Sequence, residues 1–168
     1  MDAGREDPTK QELLAWLDAK RRHVVDQVEA LPEDELRRSR LPSGWTPLGL
    51  VQHLALDVER VWLRRVMTGE QVDLPVGYEG WTVPSGTGAE EVLALYREEA
   101  RLGDAAVAGL SLDAGPQWWF EGAGDPPYST LLDVLLHVLV ETATHAGHLD
   151  VVRELADGGQ RLVLDEPG

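Results

Sequence analysis

Apolar residues recur along this chain at intervals of three and four, the spacing of one face of a helix, in four long segments. The first runs from about Thr9 to Leu31 through Leu13, Leu14, Leu17, Val24, Val25 and Val28. Thr9 is its expected N-cap, because Glu12 stands three residues on, and Pro32 stops it. The second opens at Thr46–Pro47, a capping residue followed by a proline whose missing N–H costs nothing in a first turn. Its stripe is Leu50, Leu54, Val58 and Val61, with Trp62 beside it, and Gly69 closes it. The third, from about Thr87 to Leu110, carries Val92, Leu95, Tyr96, Leu102 and Ala106 and is interrupted by Glu99. The fourth starts near Ser129 and ends at Gly158–Gly159, with Leu131, Leu135, Val138, Leu149, Val152 and Leu155 facing inward. No segment of comparable length alternates as a strand does.

The stretches Glu70–Gly86 and Ser111–Tyr128 read as loops. The second holds Trp118, Trp119 and Phe120, which suit a pocket mouth, an interface or a cap on the core. The tail, residues 160–168, allows a short strand at Arg161–Leu164 but offers it no partner. Four helices, each about 30 Å long or more, are the ingredients of an all-α four-helix bundle, here expected as one domain over residues 1–168.

Composition narrows the function. Lys and Arg total 15 against 30 Asp and Glu, a net charge of −15, which opposes nucleic acid and anionic membrane surfaces as partners. There is no cysteine, which removes disulfides, thiolate metal sites and any cysteine nucleophile. The polar start MDAGREDPTK lacks the apolar stretch of a secretory signal, and no apolar run is long enough to span a bilayer, so a cytoplasmic address is expected.

The chemistry concentrates in histidine. Of five histidines, three stand in the run HVLVETATHAGH of the fourth helix. At about 100° per residue, with His137 at zero, Glu141 falls near 40°, His145 near 80° and His148 near 20°, so all four share one face. Glu141 and His145 at i and i+4 form a two-pronged chelate, the device by which paired helical side chains hold a metal. His53 sits on the apolar stripe of the second helix, where an unpartnered ring is costly, and supplies a third ligand if the two helices pack together. Two imidazoles and one carboxylate leave a divalent ion with residual charge and an open position. His148 is a candidate fourth ligand. His137 reads as a group orienting Glu141 or as a core histidine, and Asp57, one turn after His53, as an acceptor for its ring N–H or as a solvated acid. His23, beside Arg22, reads as a surface residue. Arg60, Arg64 and Arg65 read as a solvated face paired with acids. Gly147, inside the fourth helix, suggests a close backbone approach by a neighbouring helix or ligand.

The runs GLVQHLALDVERVW and TLLDVLLHVLVETATHAGHLDVVRELADG resemble the DinB-like superfamily, most nearly its actinobacterial mini-circle branch, over nearly the whole chain up to Gly159. That resemblance implies a four-helix bundle of up-down-down-up topology with long crossover loops, and one zinc or nickel ion held by His53, Glu141 and His145. Glutamate at the position of Glu141 is shared with the mycothiol-dependent maleylpyruvate isomerase branch. The resemblance also implies a low-molecular-weight thiol such as mycothiol as co-substrate, a small electrophile as acceptor, and a homodimer. A metal-dependent thiol S-transferase is therefore the leading expectation. The alternatives are a metal-assisted hydrolase and a non-enzymatic bundle whose metal is structural, the latter if His148 closes the coordination sphere.

Overall fold

In the computed structural model, which describes residues 7–161, helices dominate and no strand occurs among the described residues. Helix α1 spans Pro8–Glu29, the single-turn α2 spans Glu33–Leu36, and α3 spans Pro47–His53. Without a break, α3 continues as a π-helical stretch, Leu54–Val66. A 3₁₀ turn, Glu79–Trp81, lies in the next link, followed by α4 at Ala89–Val107 and α5 at Leu131–Asp157.

Their ends follow from local chemistry. Asp7, not Thr9, caps α1: its carboxylate accepts from the backbone N–H groups of Thr9 and Lys10. Aspartate caps as well as threonine does, and the proline after it supplies the preformed first turn. Thr46 caps α3 as expected, through Gly49 N. A reciprocal Thr130–Asp133 pair caps α5, which ends at Gly158 with φ +75, a left-handed position that glycine takes without cost. Helix α4 stops at Val107, three residues short of Leu110. The Lys10 ammonium donates to the Val107, Ala108 and Leu110 carbonyls at 2.6, 2.7 and 2.8 Å, satisfying groups that the helix end leaves open.

Side-chain pairs fix the topology. His23 and Gln27 of α1 meet Asp150, and Gln27 meets Arg153 further along α5, so these two helices run parallel. Lys10 meets residues 107–110 while Arg21 meets Asp104, so α1 and α4 are antiparallel. His53 lies against His145 and Trp62 against His137, which makes α3 antiparallel to α5. The order is up-down-down-up, and the parallel α3–α4 step accounts for the long link between them. The core is aliphatic, with Leu17, Leu50, Leu54, Leu63, Leu135 and Leu149 essentially sealed from water.

The readings of the Arg60–Arg64 face, of His23 and of Gly147 are corrected here. Glu99 does interrupt the apolar stripe of α4, and it has partly buried partners. It is buried and takes Arg60 and Arg64 at 2.7 and 2.6 Å, so those arginines serve an inner carboxylate as well as the surface. His23 is buried, not superficial, and bonds Asp150 at 2.7 Å across the α1–α5 contact. Gly147 has open space where a Cβ would stand, so no neighbouring backbone requires it. The tail strand at Arg161–Leu164 falls largely on residues 162–168, outside the described residues.

Candidate metal centre

Helix α3 carries His53 on its last turn, and the π winding begins at the next residue. π-helical turns are uncommon and recur at functional sites. Four residues on, Asp57 Oδ2 stands 2.7 Å from His53 Nδ1. An ionised carboxylate there fixes the proton on Nδ1 and leaves Nε2 as the lone-pair nitrogen, the form a metal-ligating imidazole needs. Gly80 makes this placement feasible, because a Cβ at residue 80 would lie 1.9 Å from Asp57 Oδ2.

The loop bearing Gly80 is seated on α3. A Cβ at Gly49 would lie 2.4 Å from the Trp81 carbonyl oxygen, so the 3₁₀ turn approaches the helix through a second glycine. Gln52 Nε2 donates to the Glu79 and Thr82 carbonyls at 2.7 and 3.1 Å. The result is Trp81 stacked on the His53 ring, with centroids 4.0 Å apart and planes 16° from parallel. The imidazole is thus held by a carboxylate at its edge and an indole on its face.

From α5, Glu141 and His145 approach the same space. His145 Nε2 lies 3.4 Å from Glu141 Oε2, and the His145 ring meets that of His53 edge to face at 5.2 Å. One ligand atom from each of His53, Glu141 and His145 lies within 4.8 Å of the other two. A tetrahedral ion with bonds of about 2.1 Å separates adjacent ligands by roughly 3.4 Å, so the Glu141–His145 pair already has that spacing. Burial, with the His53 ring beside it, holds the His145 imidazole down to about 4, which keeps it neutral and able to ligate at neutral pH. Two imidazole nitrogens and a carboxylate oxygen, partly shielded from water, are a donor set suited to zinc or a similar divalent ion.

The remaining candidates divide. His148 is exposed, with Nδ1 3.4 Å from His145 Nδ1, the nitrogen on the side away from Glu141; it stands outside the three-residue cluster. His137 takes its partners from the neighbouring loop and helix. Its Nδ1 lies 3.0 Å from the Tyr128 hydroxyl and its ring meets Trp62 at 4.5 Å, in a cluster that includes Trp119. Burial lowers its pKa. Trp118 lies under Arg65, whose guanidinium carbon is 4.2 Å from the ring centroid, and Trp119 meets Trp62 at 5.7 Å, so the loop aromatics pack on the π stretch. The sequence reading missed Trp81, Gly80 and Gln52, which lie in or dock an aperiodic loop; only the Gly-Trp pair in a Gly- and Pro-rich link hinted at a fixed aromatic there.

No helix among the described residues is long and apolar enough to cross a membrane. A family model described as mycothiol-S-transferase matches residues 12–158, which includes every residue of the centre. Among curated proteins, none matches the chain.

Proposed function

Because the chain belongs to the mycothiol-S-transferase family, we propose that it is a metal-dependent S-transferase joining a low-molecular-weight thiol of the mycothiol type to a small electrophile. The observation that carries this reading is the convergence of His53, Glu141 and His145 in a protein without cysteine, so that the reacting sulfur comes from outside. A divalent cation bound by these three, zinc foremost and nickel second, would lower the pKa of a thiol at the remaining position and favour thiolate near neutral pH.

The chain's residues do the rest. Asp57 at Nδ1 and Trp81 on the ring face hold the His53 imidazole, which leaves Nε2 as the nitrogen available to a cation shared with Glu141 and His145. The partial burial of all three ligands limits access of bulk water, which would compete for the sulfur's place. Trp62, Trp119, Tyr128 and His137 form an aromatic wall one to two helical turns along α5, suited to an apolar acceptor. The sulfur bonds to the electrophilic carbon as the bond from that carbon to its leaving group breaks, bromide in the case of a bromomethyl acceptor, and the thiol proton and the released anion pass to solvent. A cytoplasmic setting, where small thiols are kept reduced, fits this chemistry.

The test is cobalt-substituted protein titrated with mycothiol. A sulfur-to-cobalt charge-transfer band is expected in the wild type, together with mycothiol-dependent consumption of a model electrophile such as monobromobimane. A band that appears only after His148→Ala would mean that His148 fills the fourth position and that the metal is structural. Absence of the band in both forms would refute the thiol reading.

A further inference from the structure

Beside the centre opens a cleft of about 350 Å³, between the turn at residues 43–45 and the loop at 78–82, lined by Ser43, Gly44, Trp45, Tyr78, Trp81 and Thr82. None of these residues is charged, although charged residues are 27% of the chain and its net charge is −15. The groove between α1 and α4, about 320 Å³, shows the contrast. It is lined by four arginines and three aspartates, and each arginine is engaged by a carboxylate, which marks a salt-bridged seam.

The uncharged cleft adjoins the metal ligands through its own walls. Trp81 lines it and also lies 4.0 Å from the His53 ring and 5.6 Å from that of His145, centroid to centroid. Trp45 approaches His148 at 6.1 Å. Tyr78 is 83% exposed, a large ring left in water at the rim. The shape is built in advance, because Gln52 and the two glycines at 49 and 80 seat the loop on α3. Aromatic faces with hydroxyl groups between them suit a ligand that presents C–H faces and many hydroxyls and carries no charge.

We propose that this cleft binds the sugar portion of the thiol co-substrate. The assignment deepens the S-transferase reading and rests on it. A mycothiol-type ligand is an N-acetylated cysteine joined by an amide to an amino sugar and a cyclitol, uncharged apart from its thiol. Five bonds separate its sulfur from the first sugar ring, about 6 Å end to end in an extended zigzag that advances roughly 1.25 Å per bond. That length places the ring against Trp81 when the sulfur lies among His53, Glu141 and His145. A thiol peptide bearing free carboxylates finds no cation in the cleft and meets the repulsion of an acidic protein, so the same walls select for the neutral glycosidic thiol.

The experiment compares wild type with Tyr78→Ala, an exposed position where folding is not at risk, and with Trp45→Ala. Steady-state kinetics use mycothiol and N-acetylcysteine, which shares the thiol but has a carboxylate where mycothiol has the amide and sugars, so that only its response to the substitutions, not its absolute KM, is compared. Tryptophan fluorescence follows binding of the glucosaminyl-inositol fragment, which has no sulfur and reports independently of the metal. Loss of one stacking ring is expected to weaken fragment binding and raise the mycothiol KM about threefold to tenfold, leaving kcat and the N-acetylcysteine KM unchanged. Mycothiol turnover whose KM moves in neither variant, or a fragment that does not bind the wild type, overturns the cleft assignment alone. A wild type with no mycothiol-dependent turnover overturns the reading beneath it as well.

Discussion

Gly80→Ala is the sharpest perturbation of the proposed metal centre, because the residue is none of its three proposed ligands. The added Cβ would stand 1.9 Å from Asp57 Oδ2, 2.6 Å from Cγ and 2.9 Å from Oδ1. An ordinary carbon–oxygen contact needs about 3.4 Å or more, so the carboxylate must withdraw by roughly 1.5 Å. The Asp57–His53 hydrogen bond, at 2.7 Å, cannot survive that displacement. Because a side chain can rotate away, the global cost stays near 1 kcal/mol, while the loss falls on His53. Removing the outer partner of a ligating histidine typically weakens metal binding about 10- to 100-fold, or roughly 1.4–2.7 kcal/mol. The assay is zinc competition against a chromogenic chelator for wild type, Gly80→Ala, Asp57→Ala and the double variant. Acting through one carboxylate, the two changes should be strongly non-additive, with the double variant no worse than Asp57→Ala. Gly86→Ala, where a Cβ meets nothing within 4 Å, is the control. Wild-type affinity in Gly80→Ala, or fully additive losses, would refute the argument that Asp57 orients His53.

Three further substitutions test the frame. Arg21→Met leaves Glu59, sealed from water and bonded to Arg21 at 2.7 Å, without its cation; a loss of about 3–5 kcal/mol by urea denaturation is expected, largely restored by adding Glu59→Leu. Lys10→Met removes the donors to three carbonyls beyond α4, and about 2 kcal/mol of unfolding free energy should go with them, measured the same way. Gly147→Ala, in a helix interior with open space around the new methyl, should raise stability by about 0.5–1 kcal/mol and leave zinc affinity unchanged.

What the sequence made legible was whatever a helical period encodes. Leu50, Leu54 and Val58 mark the buried side of α3 and its continuation, and Glu141 with His145 on one face of α5 is a matter of spacing alone. The π winding was not visible, because steps of four residues serve both windings and His53–Asp57 pairs equally well in either. Buried charge was also hidden. Glu59 and Arg21 lie 38 residues apart, and Glu99 finds its arginines on another helix, so a polar letter on an apolar stripe could not announce its partner. His23 beside Arg22 looked solvated for the same reason, since Asp150 belongs to the far end of the chain. The wall of the centre escaped notice because Trp81 is placed by contacts of two glycines and Gln52, which leave no periodic trace.

Elemental analysis of the purified protein beside its His53→Ala, Glu141→Ala and His145→Ala variants tests the centre most directly. Close to one divalent ion per chain is expected for the wild type, falling sharply in each variant while helical content stays unchanged. Equal metal content in all four proteins, or none in a wild type incubated with zinc, would contradict the claim that these three side chains hold a cation together.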